Sequence, residues 1–203
     1  DLFNDLPLEL ENFESIFAHP LEGTIRLDGN PKDWGENLMR EYLSFGVNGF
    51  SDGDFELLLG ERSNLLYVHL RILDDNVIFR DRSLLKLDNS DQVRLDFQKP
   101  NGNAGRVTLA FEKEGSVTGF EMDEQWEYAS SGQAISEIQG KLIEQSGELW
   151  LEFRFPLSLL GSRRYFGITF ADVDNSTTRS VVRQTRTTPK PGKQSFNLVV
   201  LRT

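Results

Sequence analysis

The chain has no cysteine among its 203 residues. That excludes disulfide frameworks, zinc ribbons and cysteine nucleophiles. Its two histidines, His19 and His69, are far apart in sequence, a poor basis for a zinc site. No apolar run approaches the roughly 18 residues of a membrane span. Basic charge is also short: 22 Lys and Arg stand against 32 Asp and Glu, a formal net charge of −10. Such a balance argues against nucleic acid, whose binders carry a basic face. No G-x-S-x-G, P-loop or G-x-G-x-x-G pattern is present. Carboxylates are plentiful, but no pair is marked out as a glycosidase couple. The chain begins at Asp1 without a signal-peptide pattern and reads as a segment of a longer protein.

What is abundant is core material, with 38% hydrophobic and 11% aromatic residues. From residue 55 onward it is laid out with a period of two. Phe55 to Leu59 and Leu66 to Ile72 flank a turn at Gly60–Asn64. Val93, Leu95 and Phe97 alternate with Gln92, Arg94 and Asp96, and Val107, Leu109 and Phe111 follow the same rule after Pro100–Asn103. Leu149, Leu151, Phe153 and Phe155 alternate with Trp150, Glu152 and Arg154 after the Ser146–Gly147 turn. Leu157–Gly161 reads as one helical turn stopped by glycine, and strands follow over 165–173, 180–185 and 196–201. Helical spacing is confined to Leu10, Phe13, Ile16 and Phe17, and to Leu38, Met39, Tyr42 and Leu43. Short strands with turns between them predict an all-β, antiparallel, jelly-roll-like β-sandwich with short helical appendages. The expected organisation is an N-terminal extension over 1–22 packed on one sandwich domain over 23–203.

Parity separates the core from the candidate site. If Val93, Leu95, Val107, Leu109, Leu149 and Leu151 face inward, then Arg94, Asp96, Arg106, Trp150, Glu152 and Arg154 face outward, and Tyr67, His69 and Arg71 oppose Val68, Leu70 and Ile72. This predicts a shared polar face. One reading is cross-strand charge pairing of the arginines with Asp96 or Glu152. The other is a ligand face, where arginine forks meet carboxylate, phosphate or sugar hydroxyls and Trp150 offers a stacking surface. Charge is also polarised along the chain: residues 1–22 hold six acids and no Lys or Arg, and 176–203 hold six bases and no acid.

Six segments in order resemble the family 9 carbohydrate-binding modules and their DOMON-like relatives. They are Ile25–Trp34 with its Asp28-Gly29 and Trp34; Leu66-Tyr67-Val68 running to Asp74; Asp91-Gln92-Val93-Arg94-Leu95; Gly147–Pro156; Phe166–Phe170 running to Asp174; and Phe196–Leu201. The resemblance implies a β-sandwich that binds a ligand without chemistry. It also implies a sugar clamp of two tryptophans, one in the loop before the third segment and one near the strand after the fifth. Here those stretches read Leu84–Ser90 and Val181–Thr185, and neither contains tryptophan. Arg94 replaces a glutamate of the family pattern, and Arg106 retains an arginine. Arg94, Arg106 and Arg183 are therefore expected to form the ligand site, joined by Arg71, Asp96, Trp150, Glu152 and Arg154. The ligand is expected to be small and polar or anionic, or a glycan.

The resemblance implies no catalytic cofactor and no enzyme activity of this domain. Structural calcium is the one ion it allows, at Asp28, Asn30 and Asp33 or at Asp74, Asp75 and Asp81. The stretch from Asp1 to Leu21 is similar to the extracytoplasmic segment of proteobacterial histidine kinases attached to dedicated sortase systems. That similarity implies a periplasmic sensor domain of an inner-membrane, two-component kinase, in contact with the membrane only through flanking segments and dimeric if the kinase is. The alternative is a carbohydrate-binding accessory module of a secreted glycan-active enzyme.

Overall fold

The computed structural model describes residues 14–46, 51–112, 115–187 and 198–202. Its elements are strands β1 (Glu14–Pro20), β2 (Leu43–Phe45), β3 (Phe55–Arg62), β4 (Leu65–Ile72), β5 (Gln92–Gln98), β6 (Ala104–Phe111), β7 (Ser116–Met122), β8 (Ala129–Gln145), β9 (Glu148–Pro156), β10 (Tyr165–Asp172), β11 (Arg183–Arg186) and β12 (Leu198–Arg202), with 3-10 turns at Pro31–Trp34, Glu36–Arg40 and Leu157–Leu159. The β3–β4 hairpin turns on Ser63 and Asn64, both at positive φ, and β8–β9 turns on Ser146 and Gly147 in the same way. Positive φ at both central residues matches the twist of the flanking strands. The first hairpin is tighter than the Gly60–Asn64 turn expected from sequence, and Gly60 lies within β3. There a Cβ would strike Leu21 at 2.5 Å, so the glycine admits close packing rather than turning the chain.

One sheet runs β1-β12-β10-β5-β6-β7-β8-β9-β4-β3-β2 and curls on itself. The long β8 makes the corner: its pairing with β7 shifts register twice between Thr118 and Met122. Bulges of this kind raise local twist and bend a strand. The sheet closes because β1 runs parallel to β12 through Glu14–Ala18 and then to β3 through His19 and Pro20. The core joins Val93, Leu95 and Phe97 with Val107, Leu109, Phe111, Leu149, Leu151, Phe153 and Phe155 across the two layers. These are the inward residues that parity assigns.

The N-terminal stretch is more β than its spacing suggests. Residues 1–13 lie outside the described residues, including Leu10 and Phe13. Ile16 and Ala18 are buried while Phe17 is 51% exposed, a period of two. A short helical spacing cannot recover the cost of helix nucleation, whereas a strand here is paired along its length, first with β12 and then with β3. The second stretch forms only the turn Glu36–Arg40 before Leu43 enters β2.

Two smaller apolar clusters lie outside the main core. Leu21, Trp34, Leu58 and Tyr67 form one, over the outer surface of β3 and β4. Leu87, Ala110, Phe120 and Met122 form the other, over β6 and β7, with Trp126 and Ala129 packed against it.

Candidate functional site

The shared polar face expected from parity is divided in two by the path of the sheet. β5 and β9 are separated by β6, β7 and β8. The outward side chains of β5 meet the Trp126 cluster, and those of β9 meet the Trp34 cluster.

On the β5–β6 side, Arg94 pairs in register with Thr108, and Arg106 with Asp96. Above Arg94 two segments converge, one ahead of β5 and one running from the end of β10 into β11. Leu84, Lys86, Asp88 and Asn89 come from the first; Thr177, Thr178, Arg179, Ser180, Val181 and Gln184 come from the second. With Gln125 they line a groove of about 620 Å³ that includes Arg94. Small-ligand sites typically span about 300–1,000 Å³. The Arg94 guanidinium lies 5.5 Å from the centre of the Trp126 ring, and its Nε donates to Gln92 Oε1 at 3.4 Å. Burial lowers its pKa, and the charge of Asp88 opposes that shift. None of the ion pairs formed among the described residues includes Arg94. Other cations of the groove are committed. Lys86 pairs with Glu127 at 2.8 Å. Arg179 Nη1 donates to the carbonyls of Phe79 at 3.3 Å and Asn89 at 3.1 Å, tying the two walls together.

The other predicted residues go elsewhere. Arg106 shares the face of Arg94 but does not line the groove. Asp96 is buried beside it. Arg183 turns away: it bonds Asp54, the Asp52 carbonyl and, at 3.2 Å, Ser51 Oγ. Sequence reasoning missed Thr177–Ser180, Asp88 and Gln125, because only the fold brings their loops together.

On the β4–β9 side, Glu152 is fully buried rather than open to a ligand. Its oxygens accept Trp34 Nε1 at 2.8 Å and the backbone N–H groups of Asp28 and Gly29 at 3.0 Å. Burial pushes Glu152 up to about 7, while these three donors favour its ionised form. His69 stands opposite Glu152 in the ladder. The Gly29 carbonyl can only accept, so His69 Nε2 carries the proton it receives at 3.1 Å, and Nδ1 accepts from the Tyr42 hydroxyl at 2.7 Å. Gly29 sits at φ +87 with Ile143 2.9 Å from where a Cβ would be, which explains the glycine of Asp28-Gly29. Arg71 pairs with Glu56 and stacks over Tyr42 at 4.3 Å. Trp150 Nε1 donates to Glu148 at 2.9 Å, and its ring meets His69 edge-on at 5.5 Å. Arg154 donates to Gln139 at 2.7 Å. Glu152, His69 and Arg71 thus fasten Asp28, Gly29, Trp34 and Tyr42 to the sheet.

Burial lowers His69 to about 4 from 6.5. A depressed folded pKa means that its contribution to stability is present above about pH 6.5 and is lost as the pH falls towards 4. The stability gap between the protein and His69→Gln should therefore shrink across that window. Glu152 titrates in the opposite sense in both proteins and drops out of the difference. Thermal melts from pH 7 to 4 check this; a constant gap would refute it.

Of the expected calcium triads, Asp28, Asn30 and Asp33 line one small pocket together with Arg26 and Lys32, and Asp74 and Asp75 gather without Asp81. Asp28 and Asn30 accept the N–H groups of Asn30 at 2.9 Å and Lys32 at 3.3 Å, and Asp33 accepts that of Arg26 at 2.7 Å, shaping a local turn. Asp81 caps Ser83 instead, through its N–H at 2.9 Å and its hydroxyl at 2.7 Å. Asp74 and Asp75 join other aspartates.

No family model matches the sequence, and no curated protein does. Solved structures match across nearly the whole chain. A family 9 carbohydrate-binding module from Caldicellulosiruptor kristjanssonii in complex with cellotriose aligns with a TM-score of 0.63 at 12% identity, covering 94% of this chain and 95% of that one. The fold is that of a family 9 carbohydrate-binding module. The module in complex with glucose gives the same score, with 97% of it covered. A candidate carbohydrate-binding protein from Bacteroides uniformis aligns at 0.53, with 13% identity over 93% of this chain and 100% of that one. The two stretches in which the resemblance looks for clamp tryptophans, Leu84–Ser90 and Val181–Thr185, supply residues to the two walls of the groove.

Proposed function

We propose that this domain binds a carbohydrate in the groove over Arg94, prefers an acidic sugar, and performs no chemistry on it. The convergence of residues 84–89 and 177–184 on Arg94 carries this reading. The lining contains no aromatic ring. Recognition therefore rests on polar contacts: amide, hydroxyl and carboxylate groups suit sugar hydroxyls, and Arg94 suits a uronate carboxylate. The structural relatives support the sugar, and the substitution of the clamp supports the acid.

The test is calorimetric titration with glucuronic acid and glucose. Glucuronic acid should bind more tightly, and Arg94→Ala should weaken it roughly 10- to 150-fold, the loss of a charge-assisted hydrogen bond of about 1.5–3 kcal/mol. Arg94→Lys should restore little of this, because the fork is lost. Equal binding of glucuronic acid by the protein and both variants would remove Arg94 from the site. Tighter binding of glucose would reverse the proposed preference.

The sensor setting and its periplasmic location rest on the similarity of residues 1–21 alone. The structural relatives favour the accessory-module reading. The gene sequence on either side of this segment separates the two: membrane spans and a kinase core, or a glycan-active enzyme.

A further inference from the structure

The polar groove over Arg94 has an apolar rim. Among the described residues six large apolar or aromatic side chains are exposed. Four of them, Leu84, Leu85, Tyr128 and Val182, belong to the groove walls or adjoin them, while Phe17 and Leu43 lie on β1 and β2. Leu84 lines the groove, and Leu85 stands between it and Lys86, which lines it too. Val182 follows Val181 on the other wall. Tyr128 is linked to the first wall through Lys86, whose ammonium lies 5.6 Å from the centre of its ring. Single exposed apolar residues are ordinary on a protein surface, but several gathered at one cavity mark a binding surface.

Local structure holds this rim outward. Leu87 is buried with Phe120 and Met122, and its N–H donates to the Glu127 carbonyl at 2.8 Å. The Leu84 N–H donates to the Asp81 carbonyl at 3.1 Å. Leu85, between these anchors, is 84% exposed. The Val182 N–H donates to the Asp172 carbonyl at 2.9 Å, and its side chain is 59% exposed. Backbone bonds thus fix both segments with these side chains in water.

A groove with a guanidinium inside and aliphatic carbon at its edge is matched by a ligand divided in the same way. We infer that the ligand is an amphiphilic glycoside: its acidic sugar enters the groove, and its apolar aglycone lies across Leu84, Leu85 and Val182, with Tyr128 at the margin. This rests on the acidic-sugar reading and names the class of ligand within it. Ligand sites usually owe most of their contact to apolar surface. The groove is lined mainly by polar groups, so the rim supplies the apolar burial that its interior lacks.

The experiment compares methyl β-D-glucuronide with octyl β-D-glucuronide, the latter below the concentration at which it forms micelles, by calorimetric titration of the full chain. The probes share the sugar and its linkage and differ only in the length of the alkyl chain. Each methylene removed from water is worth about fourfold in affinity, so octyl glucuronide should bind roughly tenfold tighter or more. The double variant Leu85→Ser/Val182→Ser should lose most of that gain and bind methyl glucuronide as the unaltered protein does. Both positions are exposed, so its melting temperature should be unchanged. Arg94→Ala should weaken both probes by the same factor. Equal binding of the two probes by the unaltered protein would overturn the rim and leave the Arg94 reading standing. So would an octyl gain that survives in the double variant. A dimer in sedimentation that the double variant dissolves would give the rim to a second copy, which also overturns it. Failure of both glucuronides to bind would strike the acidic-sugar reading itself, and the ligand class with it.

Discussion

Phe155→Ala should lower the melting temperature by roughly 6–20 °C. The side chain is fully buried on β9. Its ring meets Phe97 of β5 at 5.1 Å and Phe166 of β10 at 5.8 Å, edge-on in both cases. One residue therefore bridges the two layers, and truncation leaves a cavity that neither rigid sheet can close. Phe-to-Ala losses in such settings are about 3–5 kcal/mol, and each kcal/mol moves the midpoint of a domain this size by about 2–4 °C. Phe17→Ala is the control. It removes the same ring from a position 51% exposed and should change stability by no more than about 0.5 kcal/mol. Melts of both variants check the contrast; a fall below about 3 °C for Phe155→Ala would show that the layers are not locked here.

Glu152→Ala should cost about 3–5 kcal/mol, with an effect concentrated on residues 21–45. The substitution strands Trp34 Nε1 and the Asp28 and Gly29 amides together. Breaking a buried charged interaction by removing one partner is expensive because the remaining groups lose their solvation without return. Trp34 would lose its hydrogen bond to Glu152, and His69 would keep both of its own, to the Gly29 carbonyl and Tyr42. Glu152→Gln preserves shape but turns an amide N–H towards donors, and should recover about half of the loss. Limited proteolysis should cut within residues 21–45 far faster in Glu152→Ala, while β9 stays protected. A melting temperature within 2 °C of the unaltered protein would mean that Glu152 is not the latch.

Much of the sandwich was legible because strands have an unforgiving period. Leu149, Leu151, Phe153 and Phe155 can share a face only in extended chain, and one slipped residue would expose all four. Ser146-Gly147 was a readable turn for the same kind of local reason. Asp28-Gly29 and Trp34 were readable as a motif, although their purpose, closing over Glu152, was not. The candidate site was legible in part. Arg94 and the two groove stretches were marked by the resemblance; Arg183 was placed with them and belongs instead to Asp54. Parity says which side of its own strand a residue takes. It cannot say which layer that strand joins.

By itself, the sequence determined the class of fold, the inward residues, most turns and the absence of cysteine chemistry, because each follows from local period, turn geometry or composition. Only the tertiary structure decided that outward residues of equal parity occupy two separate surfaces, since the curl at β8 sends β5 and β9 into different layers. It also decided that Glu152 and His69 fasten the chain rather than meet a ligand. Aspartates as distant as Asp52 and Asp174 converge for the same reason: side-chain proximity across more than a hundred residues is set by strand order, which local pattern does not encode.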